Sequence, residues 1–193
     1  MARPAVMLLQ AIRLVPFERS VPRGLQVSGE LIWSRNGQLE LSFGVLAAAA
    51  SGLSDLILPP GLIDGLQGAG QRRDELWTTT CFEAFLALPG QPGYWEINLA
   101  PNGDWAVYRF EGYRSGQCQQ PLGTPPAVTL RRWHHQLRLD AQLDLSSWWP
   151  DECCPELTLT TVLDRGANGI SHWALRHGNA RADFHDRSTF LQA

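Results

Sequence analysis

Apolar and polar residues alternate with a period of two along most of this chain, and no stretch of twelve or more residues keeps the 3.6 period of an amphipathic helix. The clearest case is 137–145, where Leu137, Leu139, Ala141, Leu143 and Leu145 alternate with Arg138, Asp140, Gln142 and Asp144, the pattern of a strand with one face in water. Residues 6–14 read as a first strand. Residues 29–33 and 39–45 predict a hairpin around Arg35, Asn36 and Gly37. A three-residue loop with a left-handed Gly37 puts Leu31 and Trp33 on the face of Leu39, Leu41 and Phe43, whereas a two-residue loop scrambles the faces. Residues 94–99 and 104–110 predict a second hairpin about Pro101, Asn102 and Gly103. Its one face carries Trp95, Ile97, Leu99, Trp105 and Val107, and its other carries Tyr94, Glu96, Asn98, Ala106 and Tyr108. Residues 78–88 are apolar on both sides, as in a central strand covered on both faces. With strands at 128–133, 157–163, 170–176 and from 190 onward the total is about ten, which predicts an all-β fold: a single antiparallel two-sheet β-sandwich, immunoglobulin-like or jelly-roll.

Between these strands, 46–73 changes character. Ala47 to Ala50 fit one helical turn, but Pro59, Pro60, Gly61, Gly65, Gly68 and Gly70 make the rest a long loop excursion. At 193 residues with 44% hydrophobic and 18% charged residues, the chain is expected to form one domain over 1–193 that folds by itself.

Charge narrows the partners. The net charge is −3, and all sixteen basic residues are scattered arginines, so no basic stripe marks a phosphate track and nucleic acid is not expected. The lack of lysine removes Schiff-base and P-loop chemistry. The apolar run 5–9 is broken by Gln10 and Arg13, so neither a secretory segment nor a membrane partner is expected. Cys81, Cys118, Cys153 and Cys154 lack CxxC spacing, which encodes neither a zinc site nor a disulfide framework; reduced thiols fit a cytoplasmic address.

Within the apolar run 81–88, Glu83 has to be explained, because a buried carboxylate must be solvated, neutralised or hydrogen-bonded. An ion pair with Arg109 or Arg114 is one answer, and a ligand is the other. No serine or cysteine sits in a nucleophile elbow, so no catalytic residues are assigned. Asp183 and His185 lie two apart, but His185 is expected to pin the last turn through the backbone. His134 and His135 suit a solvated hairpin tip, and Trp95, Trp105 and Trp133 suit the core.

Three blocks, RRDELWTTTCFEAFL, YWEINLAPNGDWAVYRFEGYR and SHWALRHGNARADFH, resemble the signature blocks of the bacterial DOMON-like family, which is similar to family-nine carbohydrate-binding modules. The resemblance implies a β-sandwich whose relatives bind sugars or haem. It implies a stacking tryptophan at Trp77, six residues before a hydrogen-bonding glutamate at Glu83. The modules' arginine on the next strand falls at Glu96, and their second stacking tryptophan at Trp173.

Sugar rings have apolar faces and hydroxyl rims, so a site for them needs flat aromatics beside groups that donate and accept hydrogen bonds. Trp77, Glu83, Glu96, Asn98, Arg109 and Trp173 supply that chemistry. The expected function is a non-catalytic module that binds a carbohydrate or a similar hydroxylated small molecule, with no metal and no cofactor. The alternatives are a protein-interaction sandwich, a haem site through His177 and His185, and a glycoside-processing enzyme using Glu83 and Glu96 as an acid-base pair.

Overall fold

The computed structural model describes residues 5–48, 52–59, 62, 67–68 and 70–192. Twelve strands run through them: β1 (Val6–Pro16), β2 (Leu25–Ser34), β3 (Gln38–Ala47), β4 (Gln67–Gly68), β5 (Cys81–Ala87), β6 (Tyr94–Leu99), β7 (Trp105–Phe110), β8 (Cys118–Gln119), β9 (Ala127–Arg132), β10 (Gln136–Asp144), β11 (Glu156–Asp164) and β12 (Ile170–Ala174). The all-β reading holds.

The two-sheet sandwich does not. All the strands belong to one antiparallel ladder in the order β4-β9-β10-β3-β2-β1-β12-β11-β5-β6-β7-β8. The joint is β1. Most of its length pairs with β2, while its last residues pair with β12, Val15 opposite Ala174 and Pro16 opposite Trp173. The backbone N–H of Phe17 then extends the contact by donating to the carbonyl of His172 at 2.8 Å. One strand thereby turns the corner that a sandwich leaves open, and the sheet curls into a half-barrel. Residues 190–192 form no strand; they make a single bridge, Leu157 to Leu191, after a 3-10 turn at Arg187–Thr189.

The two halves of the curl close on one apolar core. Leu14, Val27, Leu31, Trp33, Leu39, Leu41 and Phe43 from β1 to β3 meet Phe82, Ala84, Leu86, Ile97, Leu99, Val107 and Leu159 from the other half. The rings of Phe43 and Phe82 lie 5.3 Å apart across it. Each such side chain contributes on the order of 2 kcal/mol by leaving water. Both hairpins have the predicted faces: Trp33 lies opposite Leu39 and Leu31 opposite Leu41, and Ile97 lies opposite Val107 and Glu96 opposite Tyr108. Trp105 belongs to the core and Trp95 packs against it. Trp133 does not, being 51% exposed at the hairpin tip beyond β9, beside the exposed His134 and His135.

Gly37 shows how the loop fixes the first hairpin. Its φ is 73°, and an added Cβ would lie 3.0 Å from the Ser146 backbone. Gly37→Ala is therefore expected to cost about 1–2 kcal/mol, the left-handed penalty of a Cβ, read as a lower urea midpoint at unchanged slope.

The excursion at 46–73 lies partly outside the described residues, as do Ala49 and Ala50 of the expected helical turn, and Ala47 ends β3. Among the described residues, Leu53 and Leu56 sit in the core, and no helix is long and apolar enough to cross a membrane.

Candidate functional site

All seven residues of β5 are buried, because its outer face has its own cover. Phe82, Ala84 and Leu86 point to the main core. Phe85 and Ala87 point outward into a second cluster with Tyr94, Ala106, Tyr108, Phe110 and Phe190, against which Leu76 and Phe184 pack. The cover is the C-terminal segment, held by polar ties to the sheet. Arg187 pairs with Glu156, Arg114 with Asp183 at 2.9 Å, and Tyr94 Oη lies 2.7 Å from His185 Nδ1. Tyr94 also accepts from the backbone N–H of Arg114 at 3.1 Å.

Under this cover lies a cavity of about 350 Å³, walled by Trp77, Phe85, Phe110 and Phe184 and by the polar groups of Glu83, Glu96, Arg114, Gln117, His172 and His185. That volume lies in the range of roughly 300–1,000 Å³ found for small-ligand sites. Trp77 stands at its edge, 37% exposed, in the 3-10 turn Leu76–Thr78, and packs edge-on against Tyr108 at 5.9 Å.

Glu83 is 2% exposed. Its Oε2 accepts from the Thr160 hydroxyl at 3.0 Å on β11, while its Oε1 is buried without a hydrogen-bond partner. No arginine pairs with it among the described residues, so the ion-pair expectation with Arg109 or Arg114 is replaced by a threonine. Burial, and then the neighbouring charge of Glu96, push Glu83 up from an ordinary 4.5 to about 8 against the pull of Thr160. The carboxyl is protonated at neutral pH.

Glu96 sits diagonally across the β5–β6 ladder, since Glu83 faces Asn98 and Phe85 faces Glu96. Its Oε1 accepts from Asn98 Nδ2 at 2.7 Å, and its Oε2 lies 3.8 Å from His185 Nε2. Burial raises its pKa against the opposing pull of Asn98 and Arg114. The contact with His185 is no ion pair near neutral pH, because burial, and next the charge of Arg114, hold His185 down at about 4. Assigning the Tyr94 hydroxyl proton to Nδ1 leaves the Nε2–H of a neutral imidazole facing Glu96, where it can donate. Burial raises Asp183, but the hydrogen bonds from Tyr113 and Arg114 outweigh it and keep that carboxylate below its ordinary range.

His172, on β12, reaches the cavity from the other side. Glu18 accepts its backbone N–H at 2.7 Å and lies 2.7 Å from its Nδ1, which orients the ring.

Of the six residues singled out in the sequence, Trp77, Glu83 and Glu96 border the cavity, and Asn98 supports Glu96 from beside it. Arg109 and Trp173 are not brought there. Arg109 alternates with Tyr108 and Phe110, so it points away and is exposed. Trp173 is buried in the main core, donating to Ser171 Oγ at 3.0 Å. The sequence reading missed Phe85, Phe110, Gln117, His172 and Phe184 as wall residues. For His172 the signal was available, because period two puts it on the face opposite Trp173. The expected backbone bond of His185 is instead a side-chain bond to Tyr94.

No protein-family model matches the chain, and no curated protein matches it significantly. A solved structure does. A protein of Bacteroides uniformis ATCC 8492, proposed to bind carbohydrate and determined at 2.70 Å, aligns over 95% of this chain and 84% of its own with a TM-score of 0.61 and 13% identity. That likeness shows a shared fold. Domain G2 of mouse nidogen-1 aligns over 86% of each chain, but its TM-score of 0.17 at 10% identity supports no comparison.

Proposed function

We propose that this protein is a non-catalytic carbohydrate-binding protein whose ligand enters the cavity between the outer face of β5–β6–β7 and the C-terminal segment. The observation that carries the reading is Glu83, which lines a cavity with aromatic walls and whose Oε1 is the one buried carboxyl oxygen without a hydrogen-bond partner among the described residues. A buried polar atom left unpaired costs on the order of 1–3 kcal/mol, which a ligand hydroxyl recovers. Trp77, edge-anchored on Tyr108, offers a partly exposed ring for the apolar face of a sugar, with Gln117, Glu96 and His172 at its rim. The shared fold with a protein proposed to bind carbohydrate supports the same reading. So does the DOMON-like and family-nine resemblance at Trp77 and Glu83, whose six-residue spacing puts both at one cavity.

The test is a titration of tryptophan fluorescence with a panel of monosaccharides, backed by thermal shift. A ligand at a hundred times its Kd is expected to add about 2.7 kcal/mol of stability. Trp77→Ala is expected to weaken binding roughly tenfold, the effect of losing one aromatic contact of about 1.5 kcal/mol. A panel that neither shifts the melting point nor changes the emission would end the proposal.

A further inference from the structure

The cavity holds two carboxyl groups on adjacent strands, and the groups that touch them are all uncharged. Glu83 has the Thr160 hydroxyl, and Glu96 has the Asn98 amide and the neutral ring of His185. Arg114 is the one arginine in the wall among the described residues, and its guanidinium is committed to Asp183 at 2.9 Å. Cys81, in the same layer, directs its thiol to Asn98 Oδ1 at 3.7 Å. Two buried acids placed side by side without a cation between them are unfavourable, and a structural role for Glu83 would be filled better by glutamine. The arrangement makes sense if the missing cation arrives with the ligand.

A neutral sugar hydroxyl satisfies Glu83 Oε1 but leaves Glu83 holding its proton beside Glu96, with no cation to let both acids ionise. A primary ammonium does more: it offers three N–H donors and one positive charge that both carboxylates share. Phe85 and Phe110 line the same cavity, with Trp77 at its edge, and aromatic walls suit a desolvated cation. We infer that the cavity selects a sugar carrying a free primary amine, its ammonium lodged between Glu83 and Glu96. This rests on the carbohydrate reading and narrows it to amino sugars.

The exchange of protons follows from the state of the free protein. Glu83 carries a proton at pH 7, since burial and Glu96 hold it near 8. Binding converts the carboxylic acid and the ligand ammonium into a carboxylate–ammonium pair, and the acid's proton goes to solvent. About one proton is released per amino sugar bound and none per neutral sugar. The titratable and charged groups around Glu83 are Cys81 on its own strand, Tyr94 and Glu96 on β6, Tyr108 on β7 and His172 on β12. Arg114 in the loop after β7 and Asp183 and His185 in the C-terminal segment complete the set.

The experiment is isothermal titration of the full chain at pH 7 with glucosamine, galactosamine and mannosamine, each against its parent hexose and its N-acetyl derivative. It is run in two buffers of different ionisation enthalpy. The expected result is at least one amine bound ten times more tightly than its parent hexose and its N-acetyl form, with about one proton released. In Glu83→Gln, checked for folding by its melting point, that preference is expected to fall below threefold and the proton release to disappear. Hexose or N-acetyl sugar binding as tightly as the amine, or an amine preference that survives Glu83→Gln, overturns the inference and leaves the carbohydrate reading standing. If no sugar of either kind binds, both fall.

Discussion

A Glu83→Gln variant is expected to be more stable than the parent protein at pH 8 by about 2–4 kcal/mol and less stable by about 1–2 kcal/mol near pH 4, where neither side chain carries charge and only the unpaired amide counts. The folded-state pKa of Glu83 is raised from 4.5 to about 8, chiefly by burial and next by Glu96. Below 4.5 the carboxyl is protonated in both states and contributes no penalty. As pH rises from there, the unfolded chain ionises freely while the folded one holds its proton, so stability falls until the pH passes about 8. At about 1.4 kcal/mol per pKa unit, the loss reaches roughly 3 kcal/mol at pH 7 and nears about 5 kcal/mol above pH 8. Glutamine escapes that loss, keeps an oxygen for Thr160, and leaves an amide nitrogen unpaired where Oε1 was, at a cost of about 1–2 kcal/mol. Urea unfolding at pH 4, 6 and 8 measures the difference. A gap between variant and parent that stays constant over this range would mean that Glu83 titrates in the folded protein as it does in the unfolded chain.

Phe85→Ala is expected to lose about 3–5 kcal/mol, a large share of a typical total of roughly 5–15 kcal/mol. Phe85 is 1% exposed, and its ring centre lies 5.2 Å from that of His185, 6.3 Å from that of Phe190 and 6.5 Å from that of Phe184. One side chain on β5 thus anchors the cover of the cavity at three points. Once it is cut back, the cover depends on Arg187 with Glu156, Arg114 with Asp183, and Tyr94 with His185. Partly exposed polar contacts of this kind contribute about 1 kcal/mol or less each. The loss should therefore appear twice: as a lower urea midpoint, and as faster proteolytic cleavage within 178–191 than elsewhere. A Phe85→Ala protein within 1 kcal/mol of the parent, with an equally protected C-terminal segment, would show that the second cluster does not hold the cover.

The candidate site was partly legible because it breaks the local rule. A glutamate in the fully apolar run of β5 and a second one on the polar-looking face of β6 are visible without coordinates, and both border the cavity. Arg109 and Trp173 were drawn in by charge and by resemblance, although period two already set them on the opposite faces from Glu96 and His172. Trp133 gave the same warning. Val128 and Leu130 point inward, so an odd-numbered position lies off that phase, and its ring is exposed. Aromatic size suggested core, but alternation decided the side.

By itself the sequence determined the longer strands, the register of two hairpins and the anomaly at Glu83, since each depends on side chains a few positions apart and on whether they are apolar; the two-residue strands β4 and β8 were read as loop and 190 onward as a strand. Tertiary structure alone decided that the strands form one curled ladder, because the joint at Val15 and Ala174 is made by backbone groups that every residue carries and no side-chain pattern reports. It also decided that the outer face of β5 is roofed. That roof comes from a segment some hundred residues away, whose short polar ties to β6 and β11 become visible only once the chain has folded back over the sheet.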